Sequence, residues 1–271
     1  MTHPALFVSH GSPMMALEPS AARDFLATLA SRFERPRAIL VISAHHDAAY
    51  EGGHVTVTAS STPPTIHDFG GFPAELFAMH YPAPGDPALA ASVADLLRTA
   101  GFDARLDPAR GLDHGAWVPL TIAWPDADVP VVQLSIWSGQ SPEWHYALGQ
   151  ALAPLRDDGV LIIGSGSMTH NLRAFATARP AIDTPAPPWV SAFADWMAER
   201  LAAGATDDVL HAVERAPHGQ DNHPTMDHIL PLFVAMGAGR GAGSGDGAAQ
   251  AERLHASVTY AILAMDAYAF H

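Results

Sequence analysis

The stretch AILVISAHHD, residues 38–47, decides the fold class of this chain. Its first six residues, 38–43, form an apolar run that is short for a helix. Such a run predicts a strand covered on both faces, as in the sheets of α/β proteins. The run gives way to His45 and His46, so we expect a buried strand that is followed directly by histidines.

The rest of the chain alternates between strand-like and helix-like patterns. Further strands are predicted over Ala5–Ser9, residues 54–59, 103–106, Val131–Ile136, residues 160–163 and 258–263. Helices are predicted over residues 20–32, 74–79, Pro87–Thr99, residues 143–155, 189–203 and 224–236. Because the two kinds of element alternate, we expect one α/β domain over residues 1–271, with a central, mostly parallel or mixed sheet flanked by helices. Within it, residues 61–87 are interpreted as an ordered loop and the glycine- and alanine-rich residues 237–250 as a flexible surface loop.

The composition excludes several kinds of chemistry. The chain of 271 residues contains no cysteine, which excludes disulfides, thiolate zinc sites and a cysteine nucleophile. It contains no lysine, which excludes Schiff-base chemistry and the P-loop lysine. The formal net charge of −14 argues against binding to nucleic acid or to an anionic membrane. The 16 histidines favour metal or acid–base chemistry, since histidine is the commonest metal ligand.

The sequence also predicts a soluble protein that is not exported. No apolar run approaches the roughly 18 residues that a membrane-spanning helix needs. The first residues lead directly into the strand predicted at Ala5–Ser9, without the charged and apolar regions of a signal peptide. The cytoplasm is therefore the expected compartment.

Three predicted strands are each followed closely by a histidine, namely His10, His45 and His170. In open α/β sheets, ligands bind outside the carboxyl ends of the strands, so three strands could deliver imidazoles to one place. A single histidine at a strand end is more often a structural hydrogen-bonding group. Three in the same topological position favour a shared site.

A second source of histidines is the stretch DNHPTMDHILPL, residues 221–232. His223 and His228 are five positions apart, whereas two histidines on one helical face are four apart, so the pair is not expected to bind one ion together. Pro224 at the first helical position would make His223 the N-cap residue. His228 would lie at the edge of the apolar face, where a buried imidazole needs a partner. The spacing leaves open whether that partner is a metal.

Two loop histidines are weaker candidates. His114 lies between Asp113 and Gly115 and could orient a substrate oxygen or only shape the turn. His67 begins a loop with Asp68 and could contact substrate or only anchor the loop. The serines of the segment GSGS, residues 164–167, do not match the nucleophile pattern GxSxG.

Taken together, these motifs resemble the class III extradiol dioxygenases of the 4,5-DOPA dioxygenase type, in the LigB-like superfamily, and in particular its bacterial, YgiD-like members. The resemblance covers roughly residues 4–237 and rests on motifs that occur in the family's order: SHGSP, SAHH, PPTIHDFGGFP, HYPAPG, GLDHGAW, VQLSI, GSGSMTHNL and HPTMDHILPL.

The resemblance implies a role for several of these histidines. It implies that His10, His45 and His228 hold a non-haem Fe(II), or Zn(II) in its place, and that His170 is the catalytic acid–base residue. His114 matches the family's histidine near the substrate hydroxyls. His228 is preferred to His223 because the second histidine of the family motif is the ligand, which leaves His223, like His67, as a candidate substrate contact.

The implied reaction is the cleavage of a DOPA-like catechol by O2 outside the diol. A third histidine ligand departs from most non-haem oxygenases, which use two histidines and a carboxylate, and Asp227 or Asp47 could still supply that carboxylate. Two alternatives remain open on the sequence. One is a zinc-dependent hydrolase using the same histidines, and the other is a non-catalytic metal-binding relative.

Overall fold

A computed structural model describes residues 2–50, 52–240 and 250–271, in which strands and helices alternate along the chain. The strands are β1 (Ala5–Ser9), β2 (Ala38–Asp47), β3 (Val55–Thr58), β4 (Ala104–Asp107), β5 (Val131–Ile136), β6 (Val160–Gly166), β7 (Ala251–His255), β8 (Val258–Thr259), β9 (Leu263–Ala264) and β10 (Ala267–Phe270). The helices are α1 (Ala21–Leu29), α2 (Ala74–Phe77), α3 (Pro87–Thr99), α4 (His114–Ala123), α5 (Pro142–Leu152), α6 (Pro154–Asp157), α7 (Leu172–Ala178), α8 (Pro188–Ala202), α9 (Thr206–Leu210), α10 (Ala212–Arg215), α11 (Gly219–Asn222) and α12 (Leu230–Arg240). Short 3-10 turns lie at Pro13–Ala16, Ala30–Arg32 and Ala48–Tyr50.

The described strands form one large mixed sheet of eight, in the order β4-β3-β5-β2-β6-β1-β10-β7, and a small pair, β8-β9. The four central strands, β5, β2, β6 and β1, run parallel, whereas β10 and β7 add an antiparallel edge. The predicted α/β fold with a mixed sheet is confirmed. Because β1, β2 and β6 are parallel neighbours, their carboxyl ends share one edge of the sheet.

The two faces of the central sheet are both buried, as the apolar runs predict. Leu40 and Ile42 of β2 face a core completed by α3, α5, α8 and α12, whereas Ile39 and Val41 face a second core completed by α1 and α4. Burying a side chain of this size contributes about 1.5–3 kcal/mol. The alternation therefore fixes the register of β2, since a slip by one residue would exchange the two cores.

The helix near the end of the chain begins and ends later than predicted. Residues 224–229 form turns, and α12 begins at Leu230. The short helix α11 ends at Asn222, so His223 is its C-cap residue and not the N-cap of the following helix, as predicted. The pattern misled because Pro224 starts a turn here, not a helix.

The predicted helix ends at residue 236, but Gly237 lies inside α12 as a packing residue. A Cβ atom at Gly237 would lie 2.0 Å from the carbonyl oxygen of Tyr146, and one at Gly149 would lie 2.0 Å from that of Val234. The glycines thus let α5 and α12 pack with their backbones in contact. The loop predicted over residues 237–250 is wrong for its first four residues, which are helical, and residues 241–249 lie outside the described residues.

Other segments also differ from the prediction. The strand expected over residues 258–263 is interrupted by a turn, because Tyr260 and Ala261 have φ of 52° and 59°, and only the short strands β8 and β9 remain. The helix α4 was not predicted, because it is buried along almost its whole length and contains Pro119, so it has no amphipathic pattern. Among the described helices, none is both long and apolar enough to cross a membrane.

Candidate metal centre

Four histidines that the sequence singled out lie together at the carboxyl edge of the sheet. His10 directly follows β1, and His170 follows β6 after a short loop. His45 lies in a bulge of β2, since Ser43 pairs with Ser135 of β5 and Asp47 pairs with the very next residue, Ile136. His228 comes from the turn that precedes α12.

The Nε2 atoms of three of these histidines face one another. The Nε2 atom of His45 lies 3.1 Å from Nε2 of His10 and 3.2 Å from Nε2 of His228. The side chain of His10 is 1% exposed and that of His228 is nearly buried, whereas His45 reaches the surface. The three rings therefore line a small polar site that is open on one side.

Glycines in β6 bring His228 to this edge. A Cβ atom at Gly164 would lie 2.2 Å from the carbonyl oxygen of Pro231, and one at Gly166 would lie 2.2 Å from that of His228. The backbone N–H of Ser167 also donates to the carbonyl oxygen of His228, at 2.8 Å. The segment GSGS is therefore a strand end without bulky side chains, against which the backbone of the turn at His228 packs, and not a nucleophile elbow.

Hydrogen bonds at the other ring nitrogen set the tautomers of His10 and His228. Ser165 donates its hydroxyl proton to the carbonyl oxygen of Gly115, so its Oγ accepts from Nδ1–H of His10, at 3.1 Å. Nδ1–H of His228 donates to the carboxylate of Asp227. In a neutral imidazole with Nδ1 protonated, Nε2 carries a lone pair. Both Nε2 lone pairs consequently point at the same place, beside Nε2 of His45.

Burial and mutual repulsion keep the imidazoles of His10 and His45 neutral. Burial lowers the pKa of His10 well below its ordinary value, and the neighbouring His228 and His114 lower it further. Burial also lowers the pKa of His45, with His114 and His10 adding to the effect. Neutral imidazoles with converging lone pairs are a ligand set for a divalent cation, so the residues present fit a metal ion.

His170 does not take part in the Nε2 contacts but lies flat against His228. The two ring centroids are 3.5 Å apart, and the planes are inclined by only 10°. Its backbone N–H donates to the carbonyl oxygen of Asn222, at 2.9 Å, which ties it to the same segment. Burial lowers the pKa of His170, and its neighbour His228 lowers it further. A neutral, partly exposed imidazole beside three ligand-type histidines can accept a proton.

His114 begins α4 and is held by a carboxylate that was not proposed as a site residue. Asp68 accepts two hydrogen bonds from His114, from Nδ1–H at 2.8 Å and from the backbone N–H at 3.0 Å. The ring of His114 lies 3.9 Å from that of His45 and 5.5 Å from that of His10, measured between centroids. Burial would raise the pKa of Asp68, but the hydrogen bonds from His114 hold it below its ordinary value.

His67 lies further from the histidine cluster than Asp68 does, and Phe69 separates its ring from that of His114. Nε2–H of His67 donates to the carbonyl oxygen of Met79, at 3.0 Å, and thereby anchors the loop. Phe69 lies between His67 and His114, with its ring centroid 5.8 Å from the first and 5.6 Å from the second. Asp68 therefore contacts His114 directly, whereas His67 contacts Phe69, which in turn contacts His114.

The remaining candidates occupy other positions. His223 is 2% exposed, and its Nε2–H donates to the carbonyl oxygen of Met168, at 2.8 Å, while burial lowers its pKa to about 4. Asp47 accepts from the backbone N–H groups of Ala49 and Ser138 and stabilises the strand end. Of the two carboxylates considered as ligands, Asp227 is the one that contacts the cluster.

A buried polar network behind His45 was missed by the sequence reasoning. The carboxylate of Asp113 accepts from Oγ of Ser43 at 2.6 Å and from Nε2 of Gln133 at 2.7 Å. Ser43 in turn accepts from the backbone N–H of His45, and Arg110 donates to the carbonyl oxygen of His45. The signal was present, because Ser43 and Gln133 are polar residues within otherwise apolar strands. Their network fixes the bulge that carries His45.

Comparisons with known proteins show the family to which this chain is similar. Residues 3–271 match the family described as the catalytic LigB subunit of aromatic ring-opening dioxygenase. The chain is 43% identical over 268 residues to the 4,5-DOPA dioxygenase extradiol of Beta vulgaris, which covers 97% of this chain and 95% of the relative. It is 43% identical over 238 residues to the protein of the same name from Escherichia coli K12, covering 87% and 84%. The crystal structure of an uncharacterized protein from Escherichia coli K12 has a TM-score of 0.76 at 30% identity and covers 99% of this chain and 100% of its own.

Proposed function

The chain belongs to the LigB family of aromatic ring-opening dioxygenases, and we propose that it is a metal-dependent extradiol dioxygenase that cleaves a catechol with O2. The observation that carries the proposal is the convergence of Nε2 of His10, His45 and His228, with contacts of 3.1 and 3.2 Å. The chain's relatives named 4,5-DOPA dioxygenase extradiol favour a DOPA-like catechol as substrate.

His10, His45 and His228 are the proposed ligands, and Fe(II) is the proposed ion for activity, with Zn(II) as an ion that the same ligands can hold. When bound, Fe(II) supplies coordination positions for a catecholate and for O2 and allows electron transfer between them. Ser165 and Asp227 hold two of the ligands in the tautomer that presents Nε2.

His170 and His114 are the proposed catalytic residues, and each lies against one of the proposed ligands, His170 against His228 and His114 against His45. His170 is partly exposed and neutral, so it can take a proton from a catechol hydroxyl and later return it. Nδ1–H of His114 is committed to Asp68, which leaves its Nε2 as a hydrogen-bond acceptor for a second hydroxyl.

The test is reconstitution of the metal-free chain with Fe(II) under anaerobic conditions, followed by O2 and a panel of catechols that includes L-DOPA. We expect O2 uptake together with a yellow ring-fission product for at least one catechol. Matched samples loaded with Zn(II), which has no redox chemistry, are expected to consume no O2. Failure of the Fe(II) sample to consume O2 with every catechol would contradict the proposal.

A further inference from the structure

Asp227 hydrogen-bonds to a proposed metal ligand and lies near the proposed acid–base residue. It accepts from Nδ1–H of His228, and the side-chain ligand atoms of His170, Asp227 and His228 lie within 4.8 Å of one another. The side chain of Asp227 keeps 27% of its surface exposed, whereas that of His228 keeps 6%. The carboxylate of Asp227 is therefore partly exposed to solvent and lies at the Nδ1 side of the His228 ring.

The three proposed ligands differ in the charge of the group behind them. His10 is backed by the neutral hydroxyl of Ser165, at 3.1 Å. Nδ1 of His45 is 3.7 Å from the carboxylate of Asp68, which hydrogen-bonds to His114 instead. Within the described residues, His228 is thus the ligand that makes a direct hydrogen bond to a carboxylate through its side chain.

A ligand set of three histidines carries no negative charge. Three neutral imidazoles bring no negative charge to a divalent cation, whereas the ligand set of two histidines and one carboxylate brings one. A carboxylate that accepts from a ligating imidazole raises the basicity of that ligand and passes part of its charge to the metal. The carboxylate of Asp227 accepts the hydrogen bond from Nδ1–H of His228, so it is placed to act on the metal through that imidazole.

We propose that Asp227 is a positioning residue that supplies, through the imidazole of His228, the negative charge that a carboxylate ligand supplies in other non-haem oxygenases. The inference rests on the proposed metal site. The negative charge then reaches the metal through one ligand, His228, against whose ring His170 stacks. Asp227 should then stabilise Fe(III) relative to Fe(II), in addition to fixing the tautomer of His228.

The experiment compares Asp227→Asn with Asp221→Asn, in the full-length chain. The asparagine can still accept from Nδ1–H of His228, so the variant removes the charge and keeps the hydrogen bond. Asp221 pairs with the exposed His218 and serves as the matched control on the same segment. Zn(II) and Fe(II) affinities are measured by competition with a chelator, and the Fe(III)/Fe(II) potential is measured by titration, both without substrate.

For Asp227→Asn we expect Zn(II) affinity to fall roughly 10- to 100-fold and the potential to rise, with both unchanged in Asp221→Asn. Asp227→Glu, which restores the charge, is expected to lie nearer the wild type in potential than Asp227→Asn does. Unchanged affinity and potential in Asp227→Asn would overturn the inference, as would weaker affinity with no change of potential. A wild-type chain that binds neither ion would overturn the metal site and this inference together. Metal binding without O2 uptake would contradict the proposed activity alone.

Discussion

The ring of His170 lies nearly parallel to that of His228, with centroids 3.5 Å apart, although the two residues are distant in the sequence. His170 arrives from the loop after β6, and His228 arrives from the turn before α12. Two backbone hydrogen bonds join these segments, from Ser167 to His228 and from His170 to Asn222, at 2.8 and 2.9 Å. The ring of His228 faces His10 and His45, whereas the ring of His170 is partly exposed to solvent. The proposed roles therefore fall on two different rings in contact, metal binding on His228 and proton transfer on His170.

This separation predicts different outcomes for two alanine variants. His228→Ala removes one of three converging Nε2 atoms, and we expect loss of bound metal. His170→Ala leaves those atoms in place, and we expect metal content to be kept while turnover falls roughly 10²- to 10⁴-fold. Elemental analysis of purified protein and O2-uptake assays provide the two readouts. Loss of metal from His170→Ala would show that the roles are assigned incorrectly.

His223 provides the control for the choice between the two histidines of the HPTMDH segment. Its buried Nε2–H donates to the carbonyl oxygen of Met168, so His223→Ala leaves a buried acceptor without its partner. We expect this variant to be less stable by about 1–3 kcal/mol and to keep its metal. Urea unfolding and elemental analysis test both parts. An empty site in His223→Ala, with a full one in His228→Ala, would contradict the ligand assignment.

Asp68 and His67 are adjacent, and the structure gives them different roles. Asp68→Asn weakens the charged hydrogen bond to Nδ1–H of His114, so we expect kcat/KM to fall roughly 10- to 100-fold with metal content kept. His67→Gln can still donate to the carbonyl oxygen of Met79 and should lie near the wild type. Steady-state kinetics of the Fe(II)-loaded variants decide the matter. Equal losses in both variants would indicate that only the loop position is important.

A pH effect on stability is expected from His145, which lies outside the candidate site. Burial lowers its pKa from an ordinary value of 6.5 to about 4. Between these values the unfolded chain binds a proton that the folded chain does not, so the free energy of unfolding falls as the pH is lowered from 6.5 towards 4. The loss from this residue is on the order of 3 kcal/mol.

The variant His145→Gln isolates that contribution. Glutamine can donate to the carbonyl oxygen of Ser141 and accept from the backbone N–H of Trp137, as His145 does. Urea unfolding of the metal-free chain at several pH values should therefore show a weaker pH dependence in the variant. An identical slope in the two proteins would be evidence against a depressed pKa at this position.

The contact between α5 and α12 predicts a strong effect of a single methyl group. Gly237→Ala would place its Cβ atom 2.0 Å from a backbone oxygen that cannot rotate away, so we expect a loss of about 1–3 kcal/mol or more, despite the better helix propensity of alanine. At Gly70 a Cβ atom would have no neighbour within 4 Å, and Gly70→Ala should change stability by less than about 0.5 kcal/mol. Comparison of the two urea midpoints provides the measurement.

The sequence was most informative where local pattern and burial agree. The apolar runs of β1, β2 and β6 predicted buried strands. The histidines that follow these strands predicted a shared site at the carboxyl ends of the strands. It was least informative where a residue's role depends on a distant contact. Gly237 has the local pattern of a helix stop, yet it is a contact point inside α12. Asp68 was passed over for its neighbour His67, since only the folded loop shows which side chain faces His114.

The sequence by itself determined the α/β class, the burial of the central strands and the set of histidines available for a site, because periodicity and residue chemistry are local properties. Only the tertiary structure decided which of these histidines converge through their Nε2 atoms and which lie beside them. Glycines of β6 allow the turn at His228 to approach the strand end, and Ser165 and Asp227 fix which ring nitrogen carries the proton. These contacts join segments far apart in the chain, and their energies depend on distances that no local pattern encodes.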